Sequence, residues 1–232
     1  LLTQSFLYKF LNDKFLYHAK CLDEVNTYEH LLILSKDDYD WLLEDIGTGT
    51  AWLKPEQLIE TLHRQQNEVT FYESFENTLN QIAIDNNDIF SVHTDGDTAI
   101  RLFDERLITD TISDSSKRNE VAKAIINLLA RVKFDETIFS QGFDFFSTLF
   151  EYMIKDYNKD GGGKYAEYYT PHSVAKIIAD ILVGNNQPSN VRIYDPSAGS
   201  GTLLMNLASR IGVDKTTVYS QDISQKSSNL LR

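Results

Sequence analysis

The chain of 232 residues has a single cysteine, Cys21, no run of 18 apolar residues, and no cluster of lysine and arginine. Each absence closes off a class of protein. One thiol cannot form an internal disulfide, and the flanks of Cys21 read as helix surface or core more readily than as a reactive site. Without a long apolar run no membrane-spanning helix is expected, and the first residues lack the basic-then-apolar layout of a secretory signal. A cytoplasmic protein with no membrane partner is the expectation. The formal net charge of −12, from 22 basic against 34 acidic side chains, argues against a chain that grips nucleic acid strongly by itself, because neutralising phosphates takes a basic face. What is present is enough apolar material, 42% of residues, to bury one sizeable core or two smaller ones.

The most informative stretch runs from Val191 to Leu204. Val191 and Ile193 have the β-branched character of a buried strand, and Asp195-Pro196 ends it, because proline lacks the ladder donor and restricts the residue before it. Gly199 and Gly201 permit positive φ and close backbone approach. The amides opening the next helix then point at whatever lies over the turn. The pattern is that of a cofactor seat, with an ordinary strand-to-helix turn of another α/β enzyme as the alternative. A dinucleotide fingerprint would need a third glycine where Leu204 stands, and a phosphate loop would need a lysine where Thr202 follows Gly201. Downstream, Thr217–Ile223 reads as the next parallel strand. Asp222, 21 residues after Gly201, falls where a carboxylate at the tip of a second strand holds a ribose hydroxyl pair. Capping of a helix that starts near Gln225 is its alternative role. Upstream, Thr170 fits an N-cap and Pro171 the first helical position. Val174, Ile177, Ile178 and Ile181 form one apolar face before Gly184 stops the helix.

The earlier part of the chain reads as helical. Phe6, Leu7, Phe10, Leu11 and Tyr17 space an amphipathic helix within Thr3 to about Leu34. Residues 36–54 read as a connecting region punctuated by Asp37-Asp38 and Gly47-Thr48-Gly49-Thr50. Pro55 opens a short helix with Leu58 and Leu62 inward, and Phe71, Phe75, Leu79 and Ile82 space another, broken at Asp85–Asp88. Asp95-Gly96-Asp97 reads as a turn or irregular loop, without the spaced acidic ligands of a calcium site. Val121, Ala124, Ile125, Leu128, Leu129 and Val132 mark one further helix, and Phe146 to Tyr157 another. Asn158–Gly163 is the most evident linker, which sets the expected domains at 1–158 and 159–232.

Three segments in this order resemble S-adenosylmethionine-dependent DNA methyltransferases that methylate exocyclic amines. Asp195-Pro196-Ser197-Ala198-Gly199-Ser200-Gly201 is similar to the first motif of that family, and Asp222 stands where the family has an acidic residue. Glu167-Tyr168-Tyr169-Thr170-Pro171 is similar to the Gly-x-Phe/Tyr-Tyr/Phe-Thr-Pro motif of modification subunits in type I restriction-modification systems. Phe6–Phe15 resembles their opening helix. The resemblance implies a mainly α N-terminal helical domain followed by the start of an α/β Rossmann-like methyltransferase domain. It implies S-adenosylmethionine as cofactor, with Glu167, Tyr168, Tyr169, Thr170 and Pro171 closing over it. Asp195, Gly199, Ser200 and Gly201 would form the turn beneath, and Asp222 would hold the ribose. Tyr168 and Tyr169 could equally be packing residues.

The implied reaction is methylation of the adenine amine in DNA, after the base is flipped from the stack. The implied partners are DNA through the intact complex, a specificity subunit, a restriction subunit and a second modification subunit. The family holds the amine with an Asn/Asp-Pro-Pro-aromatic loop, and this sequence has no Pro-Pro pair. No catalytic residue and no metal site are therefore assigned, and this chain alone is expected to transfer no methyl group. It begins with Leu1 and ends inside an expected helix, and two strands cannot cover both faces of a doubly wound sheet. A fragment completed by further polypeptide or a partner is the expectation. Another adenine methylase outside type I, or a noncatalytic partner-binding protein with a vestigial cofactor fold, stands as the alternative. A nicotinamide-dependent oxidoreductase is disfavoured by Leu204.

Overall fold

A computed structural model describes residues 1–22, 28–47, 50–90, 102–134, 136–140, 170–186, 188–199 and 201–222. Its chain divides into two compact units, Leu1–Phe139 and Ser140–Arg232. The turn at Asp95-Gly96-Asp97, the helix expected over Phe146–Tyr157, the linker at 158–163 and the helix expected near Gln225 lie outside the described residues. Among the described residues no helix is long and apolar enough to cross a membrane.

The first unit is helical. Its helices are α1 (Leu2–Cys21), α2 (Tyr28–Ile33), α3 (Lys36–Ile46), α4 (Ile59–Gln65), α5 (Phe71–Asp85), α6 (Asn87–Phe90), α7 (Leu107–Thr111), α8 (Arg118–Arg131) and α9 (Thr137–Ser140). One core draws on most of them, and its largest fully buried side chains include Tyr8, Phe15, Phe71, Phe75 and Phe103. The expected Leu58/Leu62 and Phe71/Phe75/Leu79/Ile82 faces are all buried. Pro55 opens a 3-10 turn, Pro55–Gln57, ahead of α4. Asn86 ends α5, and its buried amide works as a peptide mimic: Oδ1 accepts from the Trp52 amide at 2.6 Å, and Nδ2 donates to the carbonyls of Trp52 and Ile82. Cys21 is exposed at the end of α1.

Three expectations for this unit change. On α1 the buried stripe is Tyr8, Leu11, Phe15 and Ala19, together with polar Ser5, Lys9 and Asn12, while Phe6, Leu7, Phe10 and Tyr17 are only partly covered. Polar groups can face inward here because they are satisfied: Tyr8 donates to the Gln57 carbonyl, Asn12 accepts from the Ile59 amide, and Lys9 pairs with Asp13. The region 36–54, expected as a connection, contains α3. Its Ser35 hydroxyl accepts from the Asp38 amide, Asp37 and Asp38 lie in the positive first turn, and Gly47 closes it at φ 67°. The acidic pair is thus a helix start rather than a break. On α8 the buried positions are Ala122, Ile125, Ile126 and Leu129, and Leu128 points outward.

The described part of the second unit contains α10 (His172–Val183), β1 (Val191–Asp195), α11 (Thr202–Ile211) and β2 (Thr216–Ser220). The strands pair in parallel, from Val191 opposite Thr216 to Asp195 opposite Ser220, with α11 in the connection between them. Ile193, Leu204 and Ala208 form the local core. Tyr194, Val218 and Tyr219 stay open on the strands. Strand β2 stops at Ser220, earlier than expected, and Asp222 lies beyond the last bond between the strands, from the Gln221 amide to the Asp195 carbonyl. The helix near Thr170-Pro171 starts one residue late. Pro171, at φ −55° and ψ 135°, occupies the cap position without a side-chain cap, and its carbonyl accepts from the Val174 and Ala175 amides. The face of α10 also differs from expectation. Ala175, Ala179 and Val183 are buried, whereas Val174, Ile177 and Ile181 are 43%, 58% and 74% exposed. Small side chains let α10 approach α11 closely, which leaves the bulkier face open among the described residues.

Candidate cofactor site

The site lies where β1 and β2 end on the same side of the sheet, as parallel pairing requires. The crossing of the two chain segments is held by backbone bonds: the Gln221 amide donates to the Asp195 carbonyl, and the Ala198 amide to the Gln221 carbonyl, each at 2.9 Å. Between them the turn is shaped by Gly199 at φ 56° and Gly201 at φ 74°, both in the left-handed region that glycine adopts without a Cβ penalty. Gly201 stands at the cap of α11, and its amide donates to the Ala198 carbonyl at 2.8 Å.

Two carboxylates clasp this turn. Asp195 Oδ1 accepts from the Ser197 amide at 2.9 Å, a local turn that holds the aspartate over its own loop. Asp222 Oδ2 accepts from the Gly199 amide at 2.8 Å, across 23 residues of chain. A bond from an amide to an ionised carboxylate is among the stronger kinds. The second acidic residue therefore fixes the glycine turn directly. Asp195, Gly199, Gly201 and Asp222, chosen from sequence, thus come together in space. Thr170 and Pro171 lead into α10 of the same unit. Glu167, Tyr168, Tyr169 and Ser200 lie outside the described residues.

Sequence reasoning missed four residues around this site. Gln221 joins both backbone bonds at the crossing, and its Oε1 accepts from the Tyr194 hydroxyl at 2.8 Å. Asn206, one turn into α11, donates through Nδ2 to the Thr202 carbonyl at 2.7 Å and contacts Nδ1 of His172 at 3.2 Å. For Gln221 the signal was its place beside Asp222, at the end of a parallel strand. Nothing in the local sequence marks the pairing of His172 with Asn206, 34 residues away.

The arrangement offers two carboxylate acceptors beside a close-approach backbone turn and the amide end of a ten-residue helix. Such a set suits a ligand that combines a cationic or hydroxyl-rich portion with an anionic one.

Comparison with known proteins accords with that geometry. Residues 141–232 match the N-6 DNA methylase family. Over 220 residues the chain is 26% identical to the methylase subunit of the type I restriction enzyme MpnII of Mycoplasma pneumoniae, covering 89% of this chain and 39% of that protein. It is 25% identical over 138 residues to the MjaIX methylase subunit of Methanocaldococcus jannaschii, covering 54% of this chain and 24% of that one. The crystal structure of the type I restriction-modification methyltransferase subunit from Streptococcus thermophilus shares its fold. The TM-score is 0.64 at 22% identity, over 96% of this chain and 47% of that one. The chain spans less than half the length of these relatives. The family match lies over the second unit, and along most of its length the chain is similar to the methylase subunits of type I restriction enzymes.

Proposed function

We propose that the protein containing this chain transfers a methyl group from S-adenosylmethionine to the exocyclic amine of adenine in DNA, and that residues 159–232 begin its Rossmann-like cofactor domain. The observation that carries the reading is the glycine turn clasped between Asp195 and Asp222 at the ends of two parallel strands, inside the segment matched by the N-6 DNA methylase family.

The residues present suit the cofactor's chemistry. Its amino group and ribose hydroxyls are donors, and Asp195 and Asp222 are acceptors placed on either side of the turn. Its carboxylate suits backbone amides at the start of a helix. When bound, S-adenosylmethionine supplies an already activated methyl carbon, so the protein's part is alignment and exclusion of water. Gly199, Ser200 and Gly201 form the floor of the seat. Glu167, Tyr168, Tyr169, Thr170 and Pro171 close it, and Asp222 serves both the turn and the ribose. No residue of this chain acts on the adenine amine, and the chain alone transfers no methyl group. The intact protein works with a specificity subunit, a restriction subunit and a second modification subunit on DNA, in the cytoplasm, and residues 1–158 form its helical domain in this reading. The acidity of this chain suits that division of labour, since DNA recognition then rests mainly with other parts of the complex.

Titration calorimetry of the complete subunit with S-adenosylmethionine, and separately with NAD, tests the cofactor assignment. Saturable binding of the former alone is expected. Binding of NAD alone, or of neither, would overturn it.

A further inference from the structure

Two side-chain contacts lock α10 to α11, and they differ in where they lie relative to the turn. Asn206 Nδ2 is within 3.2 Å of His172 Nδ1 and donates to the Thr202 carbonyl at 2.7 Å. An amide nitrogen only donates, so His172 Nδ1 is the acceptor and both amide hydrogens are used. His172 directly follows Pro171, and Thr202 directly follows Gly201. This contact therefore joins the residue after the Thr-Pro segment to the first residue after the glycine turn. Further along, Arg210 Nε pairs with Asp180 Oδ1 at 2.7 Å, and the same guanidinium donates to the Gly184 carbonyl at 3.0 Å. That lock engages α10 at Asp180, eight residues and about 12 Å of helix beyond His172. Between the two locks the fully buried residues of α10 are small, Ala175 and Ala179. Small residues leave little side-chain interdigitation to fix sliding of one helix on the other, so the register falls to the polar contacts.

We infer that His172 and Asn206 are positioning residues, a pair that sets the distance of the Thr170-Pro171 segment from the glycine turn and so tunes cofactor affinity. The inference rests on the cofactor reading above and adds to it a role for two residues outside the matched motifs. The far lock holds the helix pair together, and the near lock places the closing segment. A merely structural role for His172 and Asn206 would make the two locks equivalent in their effects.

The test is S-adenosylmethionine titration of the complete subunit carrying His172→Phe, Asn206→Leu, both together, His172→Gln, or Arg210→Leu, with thermal unfolding recorded for each. Loss of one neutral hydrogen bond predicts that His172→Phe and Asn206→Leu each weaken binding by roughly 3- to 10-fold. The double variant should be no weaker than the worse single one, because both remove the same contact. His172→Gln, which keeps an acceptor, should restore affinity to within about twofold of wild type. Arg210→Leu should lower the unfolding temperature while leaving affinity unchanged. Unchanged affinity in both His172→Phe and Asn206→Leu, strictly multiplicative losses in the double variant, or an equal affinity loss in Arg210→Leu would overturn the positioning role. If wild type fails to bind S-adenosylmethionine, the cofactor reading itself falls. Wild-type binding with unaffected variants removes only the pair's role.

Discussion

Replacing Gly199 with valine strikes the turn at its tightest constraint. At φ 56° a β-branched residue is strained by about 1–2 kcal/mol, since Cβ crowds the following carbonyl. The turn can relieve the strain only by rotating. Rotation swings the Gly199 amide away from Asp222 Oδ2, now 2.8 Å distant, and a hydrogen bond to a charged group is worth about 1.5–3 kcal/mol. Restoring the native turn on cofactor binding therefore costs roughly 1–3 kcal/mol by either route, a 5- to 150-fold loss of affinity before any clash with the ligand is added. The assay is calorimetric titration of the complete subunit with S-adenosylmethionine, alongside thermal unfolding followed by circular dichroism. The core of the helical unit is formed by residues of its own, so its transition should stay where it is in wild type. Normal affinity in Gly199→Val would refute the reasoning, because it would mean that the left-handed turn and its bond to Asp222 do not matter to the ligand.

Other perturbations test the frame around the site. Asn86→Leu strips both partners from the Trp52 peptide group and should cost about 2–3 kcal/mol, lowering the unfolding temperature of the helical unit by on the order of 10 °C; an unchanged transition would contradict the peptide-mimic role. Partial burial raises the Asp85 carboxyl, but hydrogen bonds from Lys54, Gln81 and Gln57 outweigh that and hold it below the usual carboxylate value. A depressed native value means its stabilisation is complete above the unfolded value of about 3.9 and is lost as pH falls through the lower native one. Lys54→Met should accordingly move the acid-unfolding midpoint to higher pH, and an unmoved midpoint would show that Lys54 does not hold this carboxylate ionised. Asp222→Asn retains an acceptor for the Gly199 amide but removes the charge, so it should weaken S-adenosylmethionine binding less than Asp222→Leu; equal losses would show that the acceptor contributes nothing to the turn.

Much of the described part of the second unit was legible because local chemistry and fold demand the same residues. A strand ended by Asp195-Pro196, two glycines at positive φ and an acidic residue after the next strand are dictated by short-range geometry, and they came together in space. The face of α10 was not legible. Hydropathy marks Val174, Ile177, Ile178 and Ile181 as the inner stripe, yet the helix buries Ala175 and Ala179 and covers Ile178 only in part, because close approach to α11 selects small residues. In the helical unit the Phe71/Phe75/Leu79/Ile82 rhythm was read correctly. On α1 the polar residues Ser5, Lys9 and Asn12 turned inward. Asn12 bonds the Ile59 amide and Tyr8 the Gln57 carbonyl, both far along the chain, and such pairings leave no mark in a local window, whereas Lys9 pairs with Asp13 one turn away. Asp37-Asp38 misled for a different reason, since acidic residues mark both loops and helix starts, and Ser35 decides between them.

The most direct test is methyl transfer itself. The complete subunit, assembled with its specificity subunit, is incubated with DNA and S-adenosylmethionine labelled in the methyl group, and the DNA is digested to nucleosides. The account predicts label in N6-methyladenine, reduced in step with cofactor affinity in Gly199→Val. Label confined to cytosine, or no labelled base from an assembled complex that binds both DNA and cofactor, would contradict it.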